Sequence, residues 1–381
     1  MRNSLWQSLS LCLLPLLIHC QGSDVASTAA ALASPQVLTA PEHFDCSQLD
    51  YGIYWYGKGN VAQKALPGTP NRFFDVHKPT VIYAHGWQSN SYQSRTRENF
   101  AFDNPDIGRS QHLEDTWIDA GWNVGIFYWT QFADEYFVQN AEYKMWTPVS
   151  NVGMRWRTCD GSYRTAGSPS NSIADLYFQS YVHAMRGYQG DNIRLIGHSL
   201  GSQLALRLAD LVAEGVAQDI LPKALLPKRV TQLDPWWSGS FSSAPGIGAM
   251  VVVITQRLKN QGMIFEMFKS SDILALPGGD LNPAVTQLIG ETKVIPGYIK
   301  NPFPTEEVGS RHVAAPKLYF LSLASSPPKI CISSQKCDVE AASAATSDER
   351  TRDLMREAGS WIQSKGEDTA TSADDEFVRR H

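Results

Sequence analysis

Asn192–Leu211 reads NIRLIGHSLGSQLALRLADL, and its serine decides how the chain folds. NIRLI is a short apolar run of strand length, whereas Leu200 onward repeats apolar residues at helical spacing. Between them GHSLG satisfies G-x-S-x-G with Gly197, Ser199 and Gly201. A serine at so tight a strand-to-helix turn is forced into a strained backbone and projects from the top of a sheet. Small residues two positions to either side let strand and helix approach closely. The helix N-terminus beneath favours developing negative charge. A structural serine at a buried strand-to-helix junction is the competing reading; the strand before and helix after favour a nucleophile.

A nucleophilic serine needs a base, an acid to orient it, and donors for the oxyanion, and on this scaffold the order is serine, acid, histidine. Of the nine histidines only His312 and His381 follow Ser199. His381 ends a polar tail, which leaves His312, read here in a loop (GSRH) that leads into the apolar run VAAPKLYF. Two aspartates suit the acid. Asp234 follows the strand-like RVTQL and is stopped by Pro235, and Asp272 follows strand-like MIFEMF in KSSDILALP. Either could orient an imidazole and stabilise its cation; Asp234 is preferred and Asp272 kept as the alternative. One oxyanion donor is expected from the backbone N–H of Leu200, the other from Trp87 in HGWQSN, where Gly86 gives the loop freedom. His85 is expected to brace that loop.

The same alternation extends outward. Pro79–His85 and Gly121–Trp129 are β-rich runs, the second preceded by helix-like SQHLEDTWIDA. Ser172–Tyr188 has helical periodicity, and Arg229–Leu233 and Met263–Phe268 read as further strands. Strands separated by helix-length connections predict an α/β fold with a mostly parallel central sheet and helices on both faces. The aromatic-rich residues 130–165 and part of residues 273–311 read as insertions that could wall or cap a site. A last helix is expected from Ser347 to Ser364, with Thr346 and Glu349 at capping-box spacing.

Of the 381 residues 43% are hydrophobic, enough for a large core. A net charge of −5 without a basic stripe argues against nucleic-acid binding. Arg2 and the apolar Leu9–Ile18 predict a signal peptide over residues 1–22, too short to span a membrane. Secretion is therefore expected, with lipid anchoring through Cys20 as the alternative. A flexible Ala/Ser leader (23–40), a catalytic domain (41–365) and a disordered tail (366–381) follow. Cys46, Cys159, Cys331 and Cys337 then remain for an oxidising compartment. Of three possible pairings, Cys331 with Cys337 and Cys46 with Cys159 is preferred. No cysteine spacing suggests zinc, and no metal or organic cofactor is expected.

Three segments, VIYAHGWQSN, RLIGHSLGSQLA and VTQLDPWW, together resemble the α/β-hydrolase lipases, in particular the pancreatic lipase superfamily. The resemblance implies an α/β-hydrolase fold, Ser199 as nucleophile, Asp234 in LDP as acid, and Trp87 and Leu200 as oxyanion donors. His312 precedes KLYF as that family's histidine precedes an aromatic-containing helix. The chain departs from the family in lacking the disulfide-bounded lid before the histidine, since no cysteine lies between Cys159 and Cys331. SSDILALP in turn resembles the acid region of fungal class-3 lipases, which keeps Asp272 open. The implied activity is hydrolysis of lipid esters, possible at a lipid–water interface; a serine peptidase is a less favoured use of the same machinery. A lipase-like protein that binds lipid or a partner without catalysis is the alternative of a different class.

Overall fold

The computed structural model describes residues 37–38, 44–239, 246–276, 278–280, 283–333, 336–356 and 359–380. The expected signal peptide, Cys20 and most of the leader lie outside them. Five strands form where the sequence predicts them, β3 (Thr80–Ala84), β4 (Asn123–Tyr128), β5 (Ile193–His198), β6 (Arg229–Leu233) and β7 (Ile264–Lys269), and β1 (Gly52–Gly57), β2 (Val61–Lys64) and β8 (Glu291–Lys293) are additional. Four more follow near the C-terminus: β9 (Lys329–Ser333), β10 (Lys336–Glu340), β11 (Ser360–Lys365) and β12 (Glu376–Arg380). The longer helices are α1 (Leu113–Asp119), α2 (Val138–Trp146), α3 (Ile173–Ala184), α4 (Gly201–Ala217), α5 (Ile247–Asn260), α6 (Pro304–Leu321) and α7 (Asp348–Arg356).

All twelve strands, with the two-residue strand Val37–Leu38 at one edge, join a single sheet in the order β2-β1-β4-β3-β5-β6-β7-β8-β11-β12-β9-β10. From β4 through β11 every neighbouring pair is parallel, while β1 pairs antiparallel with β2 and β4. Helices cover both faces, which is why β3, β4 and β5 are buried along their whole length. Opposite sides of β3 and β4 show the two layers. Tyr83 meets Phe320 of α6 edge-on, with ring centroids 5.7 Å apart. Phe127, paired with Ala84 and so on the other face, stacks at 4.0 Å on Tyr177 of α3. The Trp117 indole of α1 donates to the Phe320 carbonyl, tying α1 to α6. This is the α/β-hydrolase fold.

Three expectations need correction. His312 lies inside α6 rather than in a loop. Pro304 at the first helical turn and Glu306 and Glu307 beside it start the helix before Gly309. Burial of Ala314, Ala315, Leu318 and Tyr319 then carries it on. The expected helix over 347–364 ends at Arg356, and Ser360–Lys365 is a strand instead. Its cap is Ser347, whose Oγ accepts the Arg350 N–H at 3.1 Å. Thr346 closes a tighter turn with Ser343 and Ala341. Residues 366–380 are no disordered tail: Glu376–Arg380 pairs antiparallel with β11 and parallel with β9.

The cysteines pair as Cys46–Cys159 and Cys331–Cys337. The first ties the residues ahead of β1 to the 130–165 insertion, which contains α2 and a small hairpin.

Candidate active site

In a doubly wound sheet, ligands collect beyond the carboxyl ends of the parallel strands, and four neighbouring strands deliver polar groups there. β3 runs into His85-Gly86-Trp87, β5 into Ser199, β6 into Asp234, and β7 into Ser270-Ser271.

Ser199 has φ 54°, a left-handed conformation that a side chain takes only under constraint. The constraint is visible on each side. A Cβ on Gly197 would fall 2.2 Å from the Gly201 carbonyl oxygen, and one on Gly201 would fall 2.0 Å from the Ala84 carbonyl oxygen. Only glycine fits either position. The turn is also tied to the acid loop: the Ser199 N–H donates to the Leu233 carbonyl at 3.0 Å, and the Trp236 N–H to the Ser199 carbonyl at 3.2 Å.

Asp234 follows β6 with φ 38° and is fully buried. Its carboxylate faces His312 Nδ1 at 3.4 Å. Oδ1 accepts the N–H groups of Ser270 and Ser271 at 3.0 and 3.3 Å. The hydroxyls of the same serines lie 3.0 and 2.7 Å from Oδ2. Burial pushes this carboxyl up, but the hydrogen bond and charge of His312 and the serine donors outweigh it. The result is a carboxylate held below its ordinary range. Ser270 Oγ also reaches the Arg311 carbonyl at 2.6 Å, so the loop after β7 touches both the aspartate and the histidine's helix.

Asp272 is elsewhere. Its carboxylate is 62% exposed and pairs with Lys293 at 2.6 Å. The KSSD segment thus brings its serines to Asp234, while its own aspartate faces away to Lys293. Sequence reasoning passed over both serines; two hydroxyls immediately before a candidate acid were the available signal.

Gly86 presses the first loop against the elbow: a Cβ there would lie 2.7 Å from Ser199 Cβ. The Gln88 N–H is directed to the Ala133 carbonyl at 3.5 Å, whereas the N–H groups of Trp87 and Leu200 have no hydrogen-bond partner among the described residues. His85 is buried beneath the loop. Its Nδ1 donates to the Gly86 carbonyl at 2.9 Å, and its Nε2 accepts the Trp129 N–H at 3.3 Å. Burial pushes its pKa down to about 4, which keeps the ring neutral and this pairing intact. The Trp87 indole donates to the Glu135 carbonyl at 2.7 Å. The Asp134 carboxylate accepts the N–H groups of Asn90 and Tyr92 at 2.8 and 2.9 Å. Sequence reasoning had assigned Asp134 and Glu135 nothing.

Ser199, His198 and His312 open on one cavity of about 820 Å³. Val138, Trp236, Ile273, Leu276 and Val313 give it apolar lining, and the polar residues of 88–98 line it as well. Val138 and Ile273 come from the two insertions. No hydrogen bond joins Ser199 Oγ to His312 among the described residues. Such bonds often tighten only when substrate binds. The one cluster of potential metal-ligating atoms among the described residues is Cys331, Cys337 and Glu376, and its two sulfurs are bonded to each other.

No protein-family model matches the chain, and no curated protein does. Solved structures similar to it include a poly(3-hydroxybutyrate) depolymerase from Bordetella parapertussis, 13% identical over 71% of this chain and 78% of that one, TM-score 0.29. An esterase of Pyrococcus furiosus is 15% identical over 62% and 77%, TM-score 0.27. Est1E from Butyrivibrio proteoclasticus is 9% identical over 57% and 77%, TM-score 0.24. The strand order, rather than these distant likenesses, carries the fold.

Proposed function

We propose that this chain is a secreted serine hydrolase of carboxylic esters, with lipid esters as substrates. The observation that carries the reading is the strained Ser199 elbow opening on the same cavity as His312, whose Nδ1 faces the buried Asp234. Ser199 Oγ attacks the ester carbonyl carbon while His312 Nε2 takes the hydroxyl proton. Asp234 holds Nδ1–H and stabilises the imidazolium. The N–H groups of Trp87 and Leu200 receive the oxyanion. The alcohol leaves with the proton from His312, and water, deprotonated by the same imidazole, splits the acyl-enzyme. No step needs a metal or an organic cofactor.

Lipid esters suit the cavity because an acyl chain gains from the wall of Val138, Ile273, Leu276 and Val313. Tyr136 and Phe137, just ahead of Val138, are 76% and 60% exposed, as an apolar surface meeting a lipid–water interface would need. The resemblance of HGW, GHSLG and LDP to the pancreatic lipase superfamily points the same way. Two disulfides fit an oxidising, extracellular location. No described helix is long and apolar enough to cross a membrane.

Hydrolysis of p-nitrophenyl esters of increasing chain length by wild type and Ser199→Ala tests the reading. Ser199→Ala should lose at least about a thousandfold in kcat. Equal rates would overturn catalysis and leave the lipid-binding alternative.

A further inference from the structure

We propose that His198 is a positioning residue for His312, acting on the main chain of that histidine rather than on its ring, and this rests on the serine hydrolase reading. The opening lies in the sequence of α6. A helical carbonyl at position i normally accepts the N–H of residue i+4, and four residues after His312 stands Pro316, which has none. The His312 carbonyl therefore lacks its helical donor just where α6 passes the elbow. His198 Nε2 lies 3.0 Å from that oxygen.

The chemistry of His198 permits one role there. The ring is 5% exposed and lies against the His312 ring, with centroids 4.5 Å apart. Burial, and then the charge of His312, push its pKa down to about 4, so at neutral pH it carries one ring proton. A carbonyl can only accept, so that proton is on Nε2. Nδ1 has no hydrogen-bond partner among the described residues. A neutral imidazole whose single donor serves the main chain of the base is not a second base.

What the contact fixes is a separation. His198 is the last residue of β5 and directly precedes Ser199, so it shares the rigid strand end that carries the nucleophile. Asp234 holds His312 at the ring, and His198 holds it at the backbone. Together they leave α6 little freedom to slide along the elbow, the kind of misplacement that costs most in a positioned reaction.

Three replacements separate this from a stacking role. His198→Phe keeps the ring and removes the donor. His198→Gln puts an amide N–H near the place of Nε2, and His198→Asn puts one near the place of Nδ1. With p-nitrophenyl esters, Phe and Asn should each lower kcat about tenfold with KM unchanged, while Gln stays within about threefold of wild type. The rate at which Ser199 is labelled by a fluorophosphonate should fall in the same order. A role in packing alone predicts the reverse, with Phe the best tolerated and Gln no better than Asn. That order would overturn the proposal. Should the Phe variant fail to fold, Gln against Asn still decides. Ser199→Ala run alongside keeps the two ideas apart. An active alanine variant removes the hydrolase reading, whereas an inactive one beside a fully active Phe variant removes only the role of His198.

Discussion

Asp234, at the end of β6, and Asp375, just ahead of β12, are both buried in the same sheet, and their carboxyl groups are driven in opposite directions. Asp234 is completely covered, yet two backbone N–H groups, two serine hydroxyls and His312 surround it. Burial raises its pKa less than these partners lower it. Asp375 receives one side-chain donor, the Gln363 amide at 2.6 Å, and has Asp374 beside it. There burial prevails, and the carboxyl is pushed up to about 7. Depth in the core does not decide charge; the number of donors aimed at the carboxylate does. The loop after β7 supplies those donors to Asp234.

The largest effect should come from removing the charge where it is best supported. Asp234→Asn is expected to lower kcat roughly a thousandfold to ten-thousandfold, because the amide cannot stabilise the imidazolium and favours the wrong tautomer. Asp272→Asn should stay within about twofold, since an exposed ion pair with Lys293 contributes little. Both are read as ester hydrolysis at saturating substrate. Comparable losses in the two variants would overturn Asp234 as the acid.

At the other carboxylate the readout is stability. Burial pushes the Asp375 carboxyl up to about 7, from an ordinary value of 3.8. Between these the folded state binds more protons than the unfolded chain, so stability is highest below pH 4 for this group and falls as pH rises to 7. The span corresponds to about 4 kcal/mol at most. Glu114, buried against Asn60 and also pushed up to about 7, contributes with the same sign. Asp234 acts in the opposite sense: its contribution is lost only as pH falls below the ordinary carboxylate range. His85 and His198, held near a pKa of 4, act in the opposite sense in wild type and variant alike, so the readout is a difference: in urea unfolding, the change in stability from pH 4.5 to 7.5 should be more favourable in Asp375→Asn than in wild type. An identical change in the two proteins would show that Asp375 is not the strained group.

The two regions also differed in how much the sequence disclosed. β3, β5 and β6 are short β-rich stretches buried on both faces, each followed by turn residues, and such stretches stand out in a sequence. GHSLG and LDP lie at their ends, so most of the candidate site followed. The choice between Asp234 and Asp272 did not, because each follows a strand and only the path of the loop after β7 separates them. His312 in GSRHVAAPKLYF reads as part of a loop leading into an apolar run, whereas burial of Ala314, Ala315, Leu318 and Tyr319 keeps the helix. β12 falls in KGEDTATSADDEFVRRH, which reads as a polar tail short of large apolar residues, and only Phe377 among its five residues is buried. Its strand state comes from pairing with β11 and β9. Gly359, at φ 149°, directly precedes β11, where the expected helix was to continue.

The smallest effect tests whether donors, rather than burial, hold Asp234 in its state. Ser271→Ala deletes the hydroxyl 2.7 Å from Oδ2 and leaves the Ser271 N–H and both Ser270 donors in place. A hydrogen bond to a charged acceptor is worth about 1.5–3 kcal/mol, but four other partners share this carboxylate, so a loss nearer tenfold in kcat is expected. KM should not move, because Ser271 holds the aspartate and is not part of the cavity wall. With one donor fewer, burial gains ground and the Asp234 carboxyl rises, moving the acid side of the kcat profile to higher pH. A tenfold loss with an unshifted profile would make Ser271 a packing residue. The shift in the profile ties the serine to the charge.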